Sequence, residues 1–286
     1  MSAFTKSSPS AKCKSEYDHL RRVLLCPPEY MEIRDVINDV QKKYQDENID
    51  TEKAMQQHKE FVRVLQQEGV ETDLLDPSET FPEQVFTRDI GFTVGDTVYI
   101  AEMAAEIRQG EESVLQKWLR NNNFKSETLG GGNRVEGGDV LLDRETVYVG
   151  ISSRTSKNAV EDLQKKLPDS EVIPIKFDEK YLHLDCVFNI LSPTEALIYE
   201  EALDKETLDM LAERYTLIPV DADEQFALGT NVLSIGGRRV FSQPQNSKVN
   251  ALMRANDFRV IEIDFSEIIK SGGAFRCCTL PLIREQ

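Results

Sequence analysis

The chain has 286 residues, of which 40% are hydrophobic and 29% are charged, a composition typical of a globular protein with a large core. Acidic residues outnumber basic ones by 50 to 34, and the net charge of −16 argues against nucleic-acid binding, which needs a basic surface. The sequence shows neither an apolar run of about 18 residues nor a basic start followed by an apolar stretch, so we expect no membrane span and no secretory signal.

The cysteines and histidines restrict the location and the metal chemistry. Five scattered cysteines, an odd number without a Cys-x-x-Cys pair, favour reduced thiols in the cytoplasm over a disulfide framework. Only three histidines are present, which argues against a structural zinc site. We therefore predict a cytoplasmic protein without a bound metal.

The N-terminal part divides into a tail and a first structural unit. The opening residues are rich in Ser and Lys, so we predict a flexible tail over residues 1–15 and a single domain over residues 16–286. The domain begins with the apolar strand RRVLLCP, a helix from Thr51 to about Gln67, and the strand ETDLL.

Four later segments repeat one plan: a polar residue, an apolar strand, a turn, and a second strand that carries an aromatic residue. The polar residues recur about every 46 to 50 positions, at Asp89, Asp139, Asp185 and Asn231. Turn tips such as Gly-Asp and Gly-Gly suit hairpin reversals. With the N-terminal unit this gives about five ββαβ-like units, a period typical of propellers. If the repeat is real, its polar residues occupy equivalent places and can converge on a central axis.

The elements that follow the hairpins complete the repeat. Helix-period segments are predicted over 111–119, 157–167, 205–215 and 248–256, and the last three are followed by the strands EVIPIKF, TLIPV and RVIEIDF. An ordinary α/β protein, in which strands and helices alternate anyway, would give a similar pattern.

A cysteine pair near the C-terminus offers a candidate nucleophile. In Ser271-GGAFRCCTL, two glycines allow the backbone to approach a ligand closely, and Cys277 and Cys278 follow. A thiolate is a strong nucleophile when nearby positive charge lowers its pKa, and Arg276 or a cationic substrate can supply that charge. Buried cysteines also pack as small apolar residues, so this segment alone does not decide the matter.

Three further segments carry polar groups suited to acid–base chemistry. In Tyr181-LHLDCVFNIL, His183 and Asp185 alternate along a predicted strand and so point to one face, where a histidine can shuttle protons. Glu136 in Val135-EGGDVLL can orient that histidine, as the acid of a triad does. Asp89 follows Phe86-Thr-Arg. Each of these residues is also common in turns or at strand ends, so only their conjunction is informative.

Taken together, FTRD, EGGDV, HLD and a Gly-Gly…Cys tail, in this order, resemble the guanidino-group modifying enzymes. These are the arginine deiminases, dimethylarginine dimethylaminohydrolases and glycine amidinotransferases, and the match runs from about Leu20 to Leu280. The resemblance implies a five-bladed α/β propeller of ββαβ repeats, the pentein fold, and chemistry that needs no cofactor.

The resemblance also implies roles for individual residues. Cys277 would be the nucleophile, His183 the general acid and base, and Glu136 its carboxylate partner. The remaining residues would bind the substrate: Asp89 and Asp185 its guanidinium, Arg108 and Arg154 its carboxylate, and Glu83 its α-amine.

The implied activity is hydrolysis of a C–N bond in arginine or an Nω-methylated arginine, which gives citrulline plus ammonia or methylamine through a thiouronium intermediate on Cys277. The compact length resembles the dimethylarginine enzymes, but His183-Leu-Asp185 resembles deiminases and amidinotransferases. A second carboxylate at Asp185 prefers guanidinium nitrogens that keep their N–H donors, which methylation removes. The alternatives are an amidinotransferase with the same intermediate and a non-enzymatic propeller that binds a partner. The physiological substrate, the role of Cys278 and a possible homodimer stay open.

Overall fold

The computed structural model describes residues 10–129 and 132–286, which form five small β-sheets and seven α-helices. The strands are β1 (His19–Leu25), β2 (Glu71–Leu74), β3 (Gly91–Val94), β4 (Thr97–Ile100), β5 (Ser126–Thr128), β6 (Val140–Asp143), β7 (Thr146–Ile151), β8 (Glu171–Lys176), β9 (Phe188–Ile190), β10 (Glu195–Ile198), β11 (Thr216–Pro219), β12 (Leu233–Gly236), β13 (Arg239–Ser242), β14 (Arg259–Glu262) and β15 (Leu280–Glu285). The helices are α1 (Asp39–Tyr44), α2 (Thr51–Gln67), α3 (Glu111–Asn121), α4 (Lys157–Lys166), α5 (Lys205–Ala212), α6 (Ala222–Phe226) and α7 (Ser247–Ala255).

All five sheets have the same three-stranded topology. In each, the middle strand pairs antiparallel with one neighbour and parallel with the other, and a helix connects the two parallel strands. In the sheet β6-β7-β8, the third blade in chain order, Tyr148 of β7 lies opposite Leu141 of β6 and Ile173 of β8. The sheets are β15-β1-β2, β3-β4-β5, β6-β7-β8, β9-β10-β11 and β12-β13-β14. The predicted ββαβ repeat and the five-bladed α/β propeller are confirmed.

The first blade is built from both ends of the described chain. Strand β15 pairs antiparallel with β1, and β1 pairs parallel with β2 across helix α2. The ring of blades is therefore closed by hydrogen bonds between segments that lie far apart in sequence. The sequence indicated the N-terminal half of this blade but not its C-terminal strand.

Helix α2 packs one face behind the cysteine segment. Its N-cap residue Asp50 accepts a hydrogen bond from the backbone N–H of Lys53, and its buried side chains recur at helical spacing. Phe61 packs edge-on against Phe265 and Phe275, with each pair of ring centroids 5.3 Å apart. Because Phe275 lies two residues before Cys277, this aromatic cluster holds the backbone of the cysteine segment in place.

Several local predictions needed correction. Residues 11–15 do not belong to a loose tail, because Cys13 pairs with Gly95 and Ser15 with Asp143, and both side chains are buried. The rest of the predicted tail, residues 1–9, lies outside the described residues. The segment of His183 and Asp185 is not a strand: His183 is extended, Leu184–Cys186 form a 3-10 turn, and β9 begins only at Phe188. Strand β5 was missed because its three residues, Ser-Glu-Thr, carry no apolar signal.

Among the described residues, no helix has the length and apolar character needed to cross a membrane. The four polar residues that begin the repeats, at 89, 139, 185 and 231, are all buried. Buried polar groups need partners: Asp139 and Asp185 find them outside their own blades, in Leu184 and Arg276, whereas Asp89 pairs with Arg108 of its own blade.

Candidate active site

His183 and Glu136 form a buried pair between the third and fourth blades. His183 Nε2 lies 2.7 Å from Glu136 Oε2, and neither side chain is exposed. The other ring nitrogen, Nδ1, lies 3.6 Å from Asp89 Oδ1 and has no hydrogen-bond partner among the described residues. The pairing predicted for His183 and Glu136 is therefore present in the geometry, and Nδ1 is left to face Asp89.

The charges around His183 favour its protonated form. Burial alone would lower the pKa of His183, but the carboxylates of Asp89, Asp139 and Glu136 outweigh it and raise the pKa to about 9. Burial would raise the pKa of Glu136, but the bond to His183 lowers it to about 2. At neutral pH the pair is an imidazolium and a carboxylate.

Glycines allow the close approach of these groups. A Cβ atom on Gly138 would lie 2.6 Å from His183 Nδ1 and 3.0 Å from Asp89 Oδ1. A Cβ on Gly137 would lie 2.1 Å from the carbonyl oxygen of Arg88. The paired glycines of the EGGD segment are thus needed because the second blade and the histidine pack directly against this backbone.

The cysteine segment is held by the residue that begins the fifth blade. Asn231 Oδ1 accepts hydrogen bonds from the backbone N–H groups of Ala274 and Cys277, both at 3.1 Å. The carbonyl of Cys277 accepts from the backbone N–H of Arg88 at 3.0 Å. The sequence singled out Asn231 only as a repeat position; its side-chain amide fixes the loop that carries the cysteine.

Asp185 lies beside the Cys277 thiol and is paired with an internal arginine. Cys277 Sγ lies 3.8 Å from Asp185 Oδ2, and Arg276 Nη1 donates to the same oxygen at 2.5 Å. Burial, followed by the charges of Asp185 and Asp89, raises the pKa of the Cys277 thiol well above its ordinary value. Of the two charges expected to activate the thiol, Arg276 is paired with Asp185 and Glu16 and does not bring the pKa of Cys277 below its ordinary value, which leaves a cationic substrate as the candidate.

Arg108 lies in the same cluster and pairs with two acids. Its Nη1 donates to Asp89 Oδ2 at 2.6 Å, its Nη2 to Glu111 Oε2 at 2.9 Å, and its Nε to the same carboxylate. The side chain is 1% exposed. Arg108 therefore pairs with the acid expected to bind the substrate guanidinium, and its assignment to the substrate carboxylate stays a prediction. Glu111 at the first turn of α3, which the sequence did not single out, holds it there.

Arg154 and Glu83 line the same buried region. Arg154 Nη1 lies 3.8 Å from Glu136 Oε1 and has no hydrogen-bond partner among the described residues, while Nη2 donates to the carbonyl of Ile37. Glu83 accepts hydrogen bonds from Gln41 Nε2 and Ser271 Oγ, both at 2.8 Å. Burial raises the pKa of Glu83 to about 7, although Arg108 and Ser271 oppose the shift.

The segment that contains α1 covers the cluster. Ile37 contacts Arg154, Gln41 contacts Glu83, and Asn38 donates to the carbonyl of Ser271 at 3.1 Å. A cavity of about 230 Å³ lies between this segment and the fourth and fifth blades, and its walls include Cys186, Phe226 and Gly272. This cavity adjoins the cluster, because Cys186 follows Asp185 and Gly272 precedes the cysteine segment.

The eight predicted site residues thus gather in one buried region, although they come from segments of different blades. Within residues 10–129 and 132–286, no three His, Cys, Asp or Glu side chains are arranged to hold a metal ion. Four buried partners, Glu16, Gln41, Glu111 and Ser271, were not singled out from the sequence, because a buried polar partner has no motif of its own.

Comparisons with known proteins agree with this geometry. Residues 27–284 match the family model described as N,N dimethylarginine dimethylhydrolase, eukaryotic. The chain is 50% identical over 279 residues to the uncharacterized protein YkgA of Bacillus subtilis, covering 98% of this chain and 97% of that one. It is 30% identical over 274 residues to the bifunctional arginine dihydrolase/ornithine cyclodeaminase AgrE of a Nostoc species, covering 91% of this chain but 37% of AgrE.

Among solved structures, the chain resembles the N-terminal domain of ArgZ, an arginine dihydrolase from cyanobacteria. The TM-score is 0.85 at 27% identity, covering 92% of this chain and 98% of that domain. One of the ArgZ structures is a cysteine-to-serine mutant bound to substrate, and another is covalently bound to a reaction intermediate.

Proposed function

We propose, since this chain belongs to the N,N-dimethylarginine dimethylhydrolase family, that it hydrolyses a C–N bond of the guanidino group in arginine or an Nω-methylated arginine. The products are citrulline and ammonia or methylamine. The observation that carries the proposal is the buried cluster of the Cys277 thiol, one imidazolium and several carboxylates: Cys277 lies 3.8 Å from Asp185, which the Cys186 thiol also contacts, and His183 lies 3.6 Å from Asp89.

Asp89 and Asp185 bind the substrate guanidinium in this proposal. Each already pairs with an internal guanidinium in a buried setting, Asp89 with Arg108 and Asp185 with Arg276. A substrate guanidinium has the same planar set of donors and can share these oxygens. Because each methyl group removes an N–H donor, two carboxylates favour arginine and monomethylarginine over the dimethylated form.

The substrate cation activates the thiol. Without it, Cys277 is a neutral thiol, because burial and two carboxylates disfavour a thiolate. A bound guanidinium brings a positive charge next to the sulfur, so the thiol loses its proton to solvent as the complex forms. The thiolate then attacks the central carbon of the guanidinium to give a tetrahedral adduct.

His183 then acts as acid and afterwards as base. Its Nε2–H is bound to Glu136, so Nδ1–H is the proton that faces the reacting groups. Transfer of this proton to the leaving nitrogen expels ammonia or methylamine and leaves a thiouronium on Cys277. Neutral His183 next takes a proton from water as the oxygen attacks the same carbon. The C–S bond then breaks with its electron pair going to sulfur, and the remaining hydroxyl proton passes to solvent, which releases the ureido product and the thiolate.

Two residues near the covering segment bind the amino-acid part of the substrate. Arg154 has a buried donor without a partner among the described residues, and we assign the substrate carboxylate to it. Glu83 is assigned the α-amine, with Gln41 and Ser271 orienting it. Because Gln41 and Ile37 also contact these side chains, the segment around α1 must move for the substrate to enter and to leave.

The test is product analysis with arginine, monomethylarginine, dimethylarginine and agmatine as substrates. We expect a ureido product together with ammonia or a methylamine, and a covalent adduct on Cys277 in rapidly quenched samples. Cys277→Ser removes turnover by about 10³-fold or more. Cys278→Ser, the matched control one residue away, retains most of it.

Equal losses in the two variants, or no product from any of the four guanidines, would contradict the proposal. Added glycine separates hydrolysis from amidino transfer: a guanidino-acetate product in place of citrulline indicates the transferase. The cytoplasmic location and a homodimer stay predictions.

A further inference from the structure

The N-terminal segment carries a buried acid into the centre of the propeller. Glu16 is 5% exposed, and its backbone N–H donates to the carbonyl of Leu142 at 3.0 Å, while its Oε1 accepts from the backbone N–H of Leu142 at 3.3 Å. These bonds anchor residue 16 to strand β6 of the third blade. No motif marked this position, and the predicted domain began at it.

Glu16 lies between two buried arginines that adjoin the cysteine segment. Arg276 Nη2 donates to Glu16 Oε1 at 3.2 Å, and Arg88 Nη2 lies 3.8 Å from Glu16 Oε2. Arg276 precedes Cys277 in the chain, and the backbone N–H of Arg88 binds the Cys277 carbonyl. Glu16 thus contacts the side chains of the two arginines whose backbones adjoin that of Cys277.

Arg276 connects Glu16 to Asp185. Its Nη1 donates to Asp185 Oδ2 at 2.5 Å, and its Nη2 also donates to the carbonyl of Val140 at 2.8 Å. The oxygen that Arg276 binds is the one 3.8 Å from Cys277 Sγ. A continuous chain of contacts therefore runs from Glu16 through Arg276 to Asp185 and the thiol.

Along this series of contacts, the positive charges are not fully balanced by negative ones. Arg88, Arg276 and Arg284 are all buried, and the charges of all three act on Glu16. Arg88 Nε and Nη2 and Arg276 Nε have no hydrogen-bond partner among the described residues, so these arginines are incompletely neutralised. Removal of the Glu16 charge would leave this inner side of the site strongly positive.

We propose that Glu16 is a positioning residue for the reaction: by offsetting part of the charge of Arg276 and Arg88, it lets Asp185, to which Arg276 donates, also attract a guanidinium. This inference rests on the proposed function, since it assigns the substrate cation to Asp185. Glu16 touches neither the substrate nor the thiol, and acts through Arg276.

The amide variant Glu16→Gln separates this electrostatic role from a packing role. Glutamine keeps the shape and one acceptor oxygen for Arg276 but removes the negative charge. The site then becomes more positive, so a cationic substrate binds more weakly while the Cys277 thiolate forms more easily. Loss of packing would not give opposite changes in these two properties.

The experiment measures KM and kcat for the best guanidine substrate, and the rate at which iodoacetamide alkylates Cys277 at pH 7, followed on the Cys277 peptide by mass spectrometry. We expect Glu16→Gln to raise KM about tenfold and to speed alkylation several-fold, with kcat changed by less than about threefold. The control is Asp18→Asn, a buried acid on the same segment that pairs with Arg144 at 2.7 Å instead. It should leave both quantities within about twofold of the wild type.

Unchanged KM and alkylation in Glu16→Gln, or the same changes in Asp18→Asn, would overturn the inference. A higher KM with slower alkylation would also overturn it, since that pattern reports distortion. If Glu16→Gln folds poorly, the test uses Glu16→Asp, which keeps the charge: KM and alkylation rate within about twofold of the wild type support the inference, and a larger change in either overturns it. If the wild type turns over no guanidine, the proposed function fails, and the alkylation rates alone decide whether Glu16 acts on the thiol.

Discussion

The pairing of His183 with buried carboxylates makes a prediction about stability that does not depend on the substrate. The pKa of His183 rises from 6.5 to about 9 in the folded protein, so the folded state binds a proton that the unfolded chain releases near pH 6.5. A shift of this size contributes about 3 kcal/mol to the free energy of unfolding. Because the folded pKa is raised, this contribution is complete below pH 6.5 and is lost as the pH rises through about 9.

The assay is urea unfolding at a series of pH values from 6 to 10. The reference is the double variant His183→Gln/Glu136→Gln, which removes both members of the pair and leaves no uncompensated charge between them. We expect the stability advantage of the wild type over this variant to shrink by about 3 kcal/mol across the range, mostly between pH 6.5 and 9. Other titrating groups are common to both proteins and largely cancel.

His58 provides a control of opposite sign, because it is also buried but has no carboxylate partner among the described residues. Burial lowers its pKa to about 4, so His58 is neutral in the folded protein throughout the range, while the unfolded chain binds a proton below about pH 6.5. The stability of the wild type relative to His58→Gln should therefore rise by less than about 1 kcal/mol between pH 6 and 8 and stay constant above pH 8. A wild-type advantage over the double variant that is constant or grows with pH would refute the reasoning about His183.

Three further changes test the site. Asn231→Ala removes the acceptor for two backbone N–H groups of the cysteine segment, so we expect a loss of about 1–3 kcal/mol in unfolding free energy by urea titration, and at least tenfold lower turnover. Gly138→Ala places a methyl group 2.6 Å from His183 Nδ1, so we expect kcat to fall by about 10²-fold in a steady-state assay while the protein still folds. An unchanged kcat would mean that the position of the imidazole ring is not critical. Arg154→Gln should raise KM for arginine by about 10- to 100-fold with little change in kcat. KM for agmatine, which lacks the carboxylate, should not change. Equal effects on the two substrates would show that Arg154 does not bind the substrate carboxylate.

The sequence predicted the architecture well because the fold is repetitive. The same order of polar residue, strand, turn, strand and helix recurs in each unit, so local periodicity and spacing were sufficient for four of the blades. The segments that failed lack such local signals. Strand β5 has no apolar alternation, and the HLD segment reads as a strand, although the chain turns after His183 so that the backbone N–H of Leu184 can bind Asp139.

The candidate site also has features that the sequence predicted and features that it did not. The types and order of the reactive residues, Cys277, His183 and Glu136, are visible in the sequence because each lies in a short motif. The partners of Arg108 were not visible, because a spacing of residues does not show which charged group a long side chain will reach. In the structure its Nη1 donates to Asp89 at 2.6 Å, and its role toward the substrate carboxylate stays a prediction.

What the amino-acid sequence determined by itself is the repeat, the reduced cysteines and the set of groups able to do guanidine chemistry, since these depend on residue identity and local pattern. What only the tertiary structure decided is the state of those groups. Burial keeps Cys277 a neutral thiol, neighbouring carboxylates keep His183 protonated, and Arg276 joins Asp185 to Glu16 across the axis of the propeller. Charge states and pairings depend on distance and on exclusion of water, and both are fixed only when segments more than 200 residues apart come together.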